Sequence, residues 1–418
     1  MLPPAKLALP LLLAATVPLF AADWPQFRGP ERTNVSKEMG LLATWPKDGP
    51  KLLWTFENAG IGFAGPAVVG DRLYTLGSRG GSEYVMAIDT KTGKELWATR
   101  HGPHFTNAWG DGPRSTPTVD GDVLYALGAH GDLTCLDTAT GKQRWRLSLV
   151  KDLGGTVPTW GYSESPLVDG DQLIVTPGGN QGALAAIDKK SGKVIWRSKE
   201  LDHGAAYSSA MPAVVGGIRF YIQMTDSAVV GVAARDGKLF WQTDLAVNGT
   251  AVCPTPIVAG DQVYVTSGYG AGCGLLKLTA EQGMVKAETI YDNKVMTNHH
   301  GGVVKVGEHI YGFSDDGGWT CQEFSTGRRS WNRGKLGKGS LTAADGKLYL
   351  YAENDGVCVL IDVNPKAWTE VGRFTIPRET KIERKAGKIW THPVVANGKL
   401  YLRDQDLIFC FDVKGDGK

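Results

Sequence analysis

The stretch Ser115-Thr116-Pro117-Thr118-Val119-Asp120-Gly121-Asp122-Val123-Leu124-Tyr125 decides how this chain folds. A proline-led apolar run, an Asp-Gly-Asp turn and a second apolar run ending on tyrosine together specify a short β-hairpin. The pattern returns as Ser165-Pro166-Leu167-Val168-Asp169-Gly170-Asp171-Gln172-Leu173-Ile174. Its second-strand marker recurs at Tyr74, Tyr125, Ile174, Tyr221, Tyr264, Tyr311, Tyr349 and Tyr401, eight copies in all. The spacing averages about 47 residues, which is the range of propeller blades.

Most units continue with a third strand and another tight turn. Asp89, Asp137 and Asp188 stand four residues before Gly93, Gly141 and Gly192, and Trp97, Trp145 and Trp196 follow four later. Gly237 to Trp241 and Gly327 to Trp331 keep the same step. Glycine supplies the positive φ of the turn, and strand alternation then sets one large ring per unit on one face. Units five and seven lack the step, which predicts irregular outer strands there.

The chain ends give a separate check. The eighth unit begins at Thr391-His392-Pro393 and stops at Asp412-Val413-Lys414-Gly415, before its fourth strand. The missing strand, with its tryptophan, stands near the other end as Lys51-Leu52-Leu53-Trp54-Thr55-Phe56. These features predict an all-β, eight-bladed propeller of four-stranded blades, closed by an N-terminal strand that removes exposed sheet edges. The expected organisation is a signal peptide at 1–22, an extension at 23–48 and one propeller domain at 49–418.

Lys6, the apolar run from Leu7 to Phe20 and then Ala21-Ala22 have the form of a secretory signal. No cysteine precedes Cys135 and no later run is apolar enough to span a bilayer. The expected location is therefore the periplasm or the exterior, without a lipid anchor, and the expected state a monomer. With 45 Lys and Arg against 43 Asp and Glu and no long run of one sign, a nucleic-acid partner is not expected. Of six cysteines, Cys135, Cys321, Cys358 and Cys410 fall at similar places in different units and read as small buried apolar groups. Cys253 and Cys273 share one unit, so a bridge between them stays open at this point.

The repeat resembles that of the pyrroloquinoline-quinone-like (PQQ-like) propeller family over nearly all of the expected mature chain. Asp23-Trp24-Pro25-Gln26-Phe27-Arg28-Gly29-Pro30, residues 160–166, Asn298-His299-His300-Gly301-Gly302 and Trp390-Thr391-His392-Pro393 resemble segments of exported bacterial members. That family implies one of two roles. Quinoprotein dehydrogenases hold PQQ and a calcium ion at the propeller mouth, whereas BamB-like members are non-enzymatic envelope scaffolds. The sequence departs from the first in having no adjacent cysteine pair, and from the second in lacking an anchor cysteine.

Aligning the units on their first strands puts Phe63, Arg114, Ser163, Ser209, Cys253, His300, Lys338 and Trp390 in one ring at the channel mouth. Glu164, His299 and His392 stand beside it, with Trp160 and Tyr207 close by. Cations, histidines and aromatic rings replace the Gly, Asn and Asp usual in loops. The expectation is a polar, cationic mouth that takes a small anionic or polar ligand, or an envelope protein. The same groups can instead satisfy one another, with Arg114 or Lys338 pairing with Glu164. Two enzymatic alternatives accompany the binding reading. One is a PQQ-dependent oxidoreductase with Glu164 as a calcium ligand and Trp160 stacking on the quinone. The other is metal-assisted hydrolysis through His299, His300 and His392, whose spacing matches no zinc motif.

Overall fold

The computed structural model describes residues 22–333 and 336–415. The expected signal segment thus lies outside the described residues, apart from Ala22. Eight sheets, each built on four strands in antiparallel succession and one of them extended by a fifth, form an eight-bladed propeller. The described residues contain no α-helix, and none therefore long and apolar enough to cross a membrane. In blade two the strands are Thr118–Asp120, Val123–Leu127, Asp132–Asp137 and Gln143–Ser148, innermost first. Lys51–Phe56 pairs antiparallel with Leu407–Asp412 and completes blade eight, as the position of Trp54 predicts.

The glycine-to-tryptophan step is a docking device between blades. Trp54, Trp97, Trp145 and Trp196 donate from Nε1 to the carbonyls of Thr90, Thr138, Lys189 and Ala234 in the next blade, at 2.9, 3.1, 3.0 and 3.0 Å. Each ring also lies against the turn glycine of that neighbour: a Cβ at Gly93, Gly141, Gly192 or Gly237 would come within 3.0 Å of it. Only glycine gives the turn its positive φ and leaves room for the ring. A β-bulge at each tryptophan re-aims it toward the neighbouring blade.

Units five and seven correct the expectation of irregular outer strands. Both have regular fourth strands, Met284–Asn293 and Glu370–Thr375, with the bulge in the usual place. In blade five Tyr291 takes the tryptophan position, and its hydroxyl donates to Phe324 O at 2.9 Å. In blade seven Gly372 stands at that position, opposite Leu360. The missing ring arrives from elsewhere in the chain. Trp45 lies over Gly372, with ring centroids 5.8 Å from Tyr349 and 5.1 Å from Phe374. Tyr349 and Trp45 thereby reproduce the Tyr–Trp pairs of other blades, such as Tyr125 and Trp145 at 5.9 Å.

The extension preceding Trp45 stoppers the channel. At the end of the propeller where first and second strands turn, Asp23 Oδ1 accepts from Gly70 N at 2.9 Å. The strap then climbs inside, bridging Trp24 to Val68 of blade one and accepting at Pro25 O from Val119 N of blade two. It reverses through Arg28, Arg32 and Asn34, all with positive φ. Val35–Ser36 descends as a parallel fifth strand on blade seven, and Glu38 accepts from Asn397 N and Gly398 N back at the starting end. Left-handed backbone costs a non-glycine residue about 1–2 kcal/mol. The side chains offset it: Arg28 donates to Val303 O of blade six at 2.7 Å, and Arg32 to Ser165 O of blade three at 2.7 Å.

All six cysteines are free thiols. The four expected as small buried apolar groups are buried. The bridge left open between Cys253 and Cys273 is absent. Cys273 lies buried on blade five with Sγ 3.2 Å from Asn293 Oδ1, while Cys253 lines the channel mouth.

Candidate functional site

Because the strap fills the channel from one end, the other end is a blind cup of about 380 Å³. Its floor is Trp24, Phe27, Arg28 and Asn34 of the strap, and its walls come from loops entering the first strands. Phe63, Arg114, Ser163, Cys253, His300 and Trp390 of the sequence-derived ring line it, as do Trp160, Tyr207, His299 and His392. Repeat alignment thus translates into angular position around the channel.

Three expected site residues point elsewhere. Glu164 is buried, with its carboxylate taking the amide of Thr176 and, at 2.8 Å, its hydroxyl. Burial raises its pKa to about 7. Ser209 is buried between blades, its Oγ accepting from Ser165 N at 2.9 Å. Lys338 turns to Asp315 at 2.7 Å and donates to His299 Nδ1 at 2.8 Å. The pairing of Glu164 with Arg114 or Lys338 does not form.

The walls are predominantly aromatic. Trp160 and Tyr207 pair at 5.6 Å between centroids on the side of blades three and four. Phe63 and Trp390 pair at 5.1 Å on the side of blades eight and one. Trp109 and Tyr269, both half exposed, extend the rim. Tyr269 has a positive φ and meets His299 edge-on at 4.7 Å.

Most polar groups in the mouth are held by neighbours. Glu353 takes His300 Nε2 at 2.6 Å and Trp390 Nε1 at 3.2 Å, and these bonds hold its pKa below the usual carboxylate range despite burial. His392 Nε2 bonds His300 O at 3.0 Å. Burial lowers the pKa of His392 to about 4 and of His299 to about 3, so both rings are neutral at pH 7. Arg114 donates to the carbonyls of Gly110, at 2.6 Å, and Gly112, with its guanidinium 4.8 Å from the Phe105 centroid and 5.4 Å from that of Phe63. Among the described residues no Asp or Glu lines the cup.

Sequence reasoning missed the floor. Trp24, Phe27 and Arg28 belong to a segment outside the repeat, so alignment of units gives them no position. Their signal was the concentration of rings and cations in residues 23–32, unlike an ordinary linker.

A family model described as outer membrane protein assembly factor BamB, PQQ_2, matches residues 81–333. The chain belongs to the PQQ_2 family. Among curated relatives, the outer membrane protein assembly factor BamB of Burkholderia pseudomallei is 24% identical over 234 residues, 53% of this chain and 55% of that protein. The chain thus matches little more than half the length of that relative. BamB of Moraxella catarrhalis has a solved structure similar to this one, with TM-score 0.60 and 16% identity, covering 84% of this chain and 94% of that one. The quinohemoprotein alcohol dehydrogenase of Comamonas testosteroni gives TM-score 0.65 at 13% identity, covering 95% of this chain and 81% of that one. At these identities both likenesses establish the propeller fold alone.

The resemblance to quinoprotein dehydrogenases implies a calcium-bound quinone, so the donors of the cup decide whether this chain fits one. Calcium takes about six to eight oxygen ligands, including carboxylates. Glu164 faces Thr176, Glu353 is held by His300 and Trp390, and Asp315 is held by Lys338. Among the described residues no group of three or more His, Cys, Asp or Glu is placed to hold a metal ion. The donor set does not fit PQQ with calcium. His299, His300 and His392 do not converge either, since His392 Nε2 is turned onto the His300 carbonyl.

Proposed function

We propose that this chain is a non-enzymatic binding propeller of the cell envelope, and that the blind aromatic cup is its binding site. One observation carries the reading. The acids of the mouth are tied to neighbours, His300 and His392 are held at Nε2, and burial lowers the pKa of His299 to about 3, while the ring pairs Trp160–Tyr207 and Phe63–Trp390 face open space. Such a surface supports binding, because aromatic faces bury area at little entropic cost. General acid–base chemistry instead needs a titratable group free to reach a substrate. Kinship with assembly factors in the PQQ_2 family supports an envelope setting.

Two measurements test this. Purified chain mixed with PQQ and Ca²⁺ is assayed for reduction of an artificial acceptor with alcohols and sugars, and no turnover is expected. Immobilised chain and its Trp390→Ala variant are then compared for capture of protein or small molecules from envelope extracts. The expected result is a species retained by the wild type and lost by the variant. Acceptor reduction that Arg114→Ala abolishes would overturn the proposal in favour of a quinoprotein.

A further inference from the structure

The cup holds a cation that no carboxylate bonds directly among the described residues: Arg114, in its wall. Its two bonds to Gly110 and Gly112 fix the guanidinium and leave three of its five N–H donors unused. Glu83 and Asp111 act on Arg114 through space without a salt bridge: Asp111 bonds Lys385 at 2.8 Å, and burial raises the pKa of Glu83 to about 8. A second guanidinium, Arg28, lies in the floor with Nη1 lacking a partner.

The rest of the cup sets what such an anion must be attached to. The two ring pairs stand on opposite sides of the channel, on blades three and four against blades eight and one. Arg114 on blade two and His299 at the start of blade six occupy the remaining two sides. The His299 ring has a defined polarity. The Lys338 ammonium can only donate, so Nδ1 accepts and the proton of the neutral ring is on Nε2. The described residues supply no acceptor for that N–H. The cup therefore presents a cationic end, two aromatic walls and a neutral donor end.

We propose that the ligand of the cup is a small aromatic monocarboxylate bearing an oxygen acceptor at its far end. Its carboxylate meets Arg114, its ring sits between Trp160–Tyr207 and Phe63–Trp390, and its distal oxygen accepts from His299 Nε2. A cavity of about 380 Å³, closed below, accommodates a single substituted ring with a short acid side chain. The inference rests on the cup being the binding site and adds the ligand class.

The probe is 4-hydroxycinnamate, titrated by calorimetry and by tryptophan fluorescence into the full chain. Its methyl ester, which lacks the charge, and cyclohexanecarboxylate, which lacks the aromatic ring, are the comparison arms. The expected result is saturable one-to-one binding of the acid, with ester and cyclohexane acid each weaker by about tenfold or more. Arg114→Gln should remove the preference for acid over ester. The wild-type comparison of acid with ester needs no variant, so a misfolded mutant cannot rescue the idea. Equal binding of acid and ester, or no binding of the acid at about 1 mM, overturns the ligand class. In that case a species still captured by the wild type and lost by Trp390→Ala leaves the binding function standing, whereas failure of both removes both.

Discussion

Trp45 supplies blade seven with the ring that its own outer strand lacks, and this can be tested by moving the ring. Trp45 is 7% exposed and packs on Tyr349, Phe374 and Gly372. Truncating a buried tryptophan to alanine costs about 3–5 kcal/mol. Trp45 Nε1 has no hydrogen-bond partner, so removing it also deletes a buried orphan donor. Trp45→Ala should accordingly fall near the low end, about 3 kcal/mol. Gly372→Trp alone should also destabilise, because a Cβ there would lie 2.6 Å from Trp45 Cβ. Overpacking of that kind costs about 1–3 kcal/mol. Alanine at 45 would keep the Cβ that blocks this position, so the partner change in the cycle is Trp45→Gly: combined with Gly372→Trp, it places a tryptophan on the strand at the position it has in blade two and vacates the space it needs. The double variant should be more stable than the sum of the single effects by about 2 kcal/mol. Urea unfolding followed by fluorescence and circular dichroism gives the cycle. Simple additivity of the two losses would refute the idea that Trp45 stands in for a missing blade residue.

Other expectations follow from buried groups. Arg403, 1% exposed, donates to Ala64 O, Leu76 O and Thr75 Oγ1 at 2.7, 2.6 and 2.9 Å and so ties blade eight to blade one; Arg403→Met should lower stability by about 3 kcal/mol or more in the same assay. Glu164 and Glu83 have folded pKa values raised to about 7 and about 8 from 4.5, so the folded state holds protons that the unfolded state has released. Their contribution is present at low pH and lost as pH rises through those values, while the depressed histidines have already lost their protons in both states above about pH 6.5. Stability should fall between pH 6.5 and 8, and Glu164→Gln should flatten the part of that fall below about pH 7.5; an unchanged slope would count against a buried, proton-holding Glu164. Unfolded, unreduced protein should titrate six thiols with a disulfide-exchange reagent, and a count of four would restore the Cys253–Cys273 bridge. In the folded state the thiols should react slowly, since burial pushes Cys253 and Cys410 up to about 12 and Cys135 and Cys321 up to about 11.

What the sequence disclosed follows from how each feature is encoded. Blade number and closure were legible because turn glycine, bulge and tryptophan are local, repeated and chemically distinctive, and because Trp54 labels Lys51–Phe56 as the fourth strand of blade eight. The mouth was legible for the same reason: residues three before each first strand share one height, so Arg114, His300 and Trp390 could be brought together from their numbers alone. Direction was not legible. Glu164 is adjacent to a lining residue, yet strand-like alternation sends Ser163 into the cup and Glu164 onto Thr176. Lys338 has the reach to choose among partners, and it is taken up by Asp315 and by Nδ1 of His299. The strap escaped because it has no counterpart among the units. Its Trp24, Arg28 and Trp45 act through contacts with residues 44 to hundreds of positions away, with Val68, Val303 and Gly372. A repeat protein therefore announces its scaffold through periodicity, whereas what sets this propeller apart lies in the segment that breaks the period. That segment turns an open channel into a floored cup, and the floor gives the aromatic walls something to enclose.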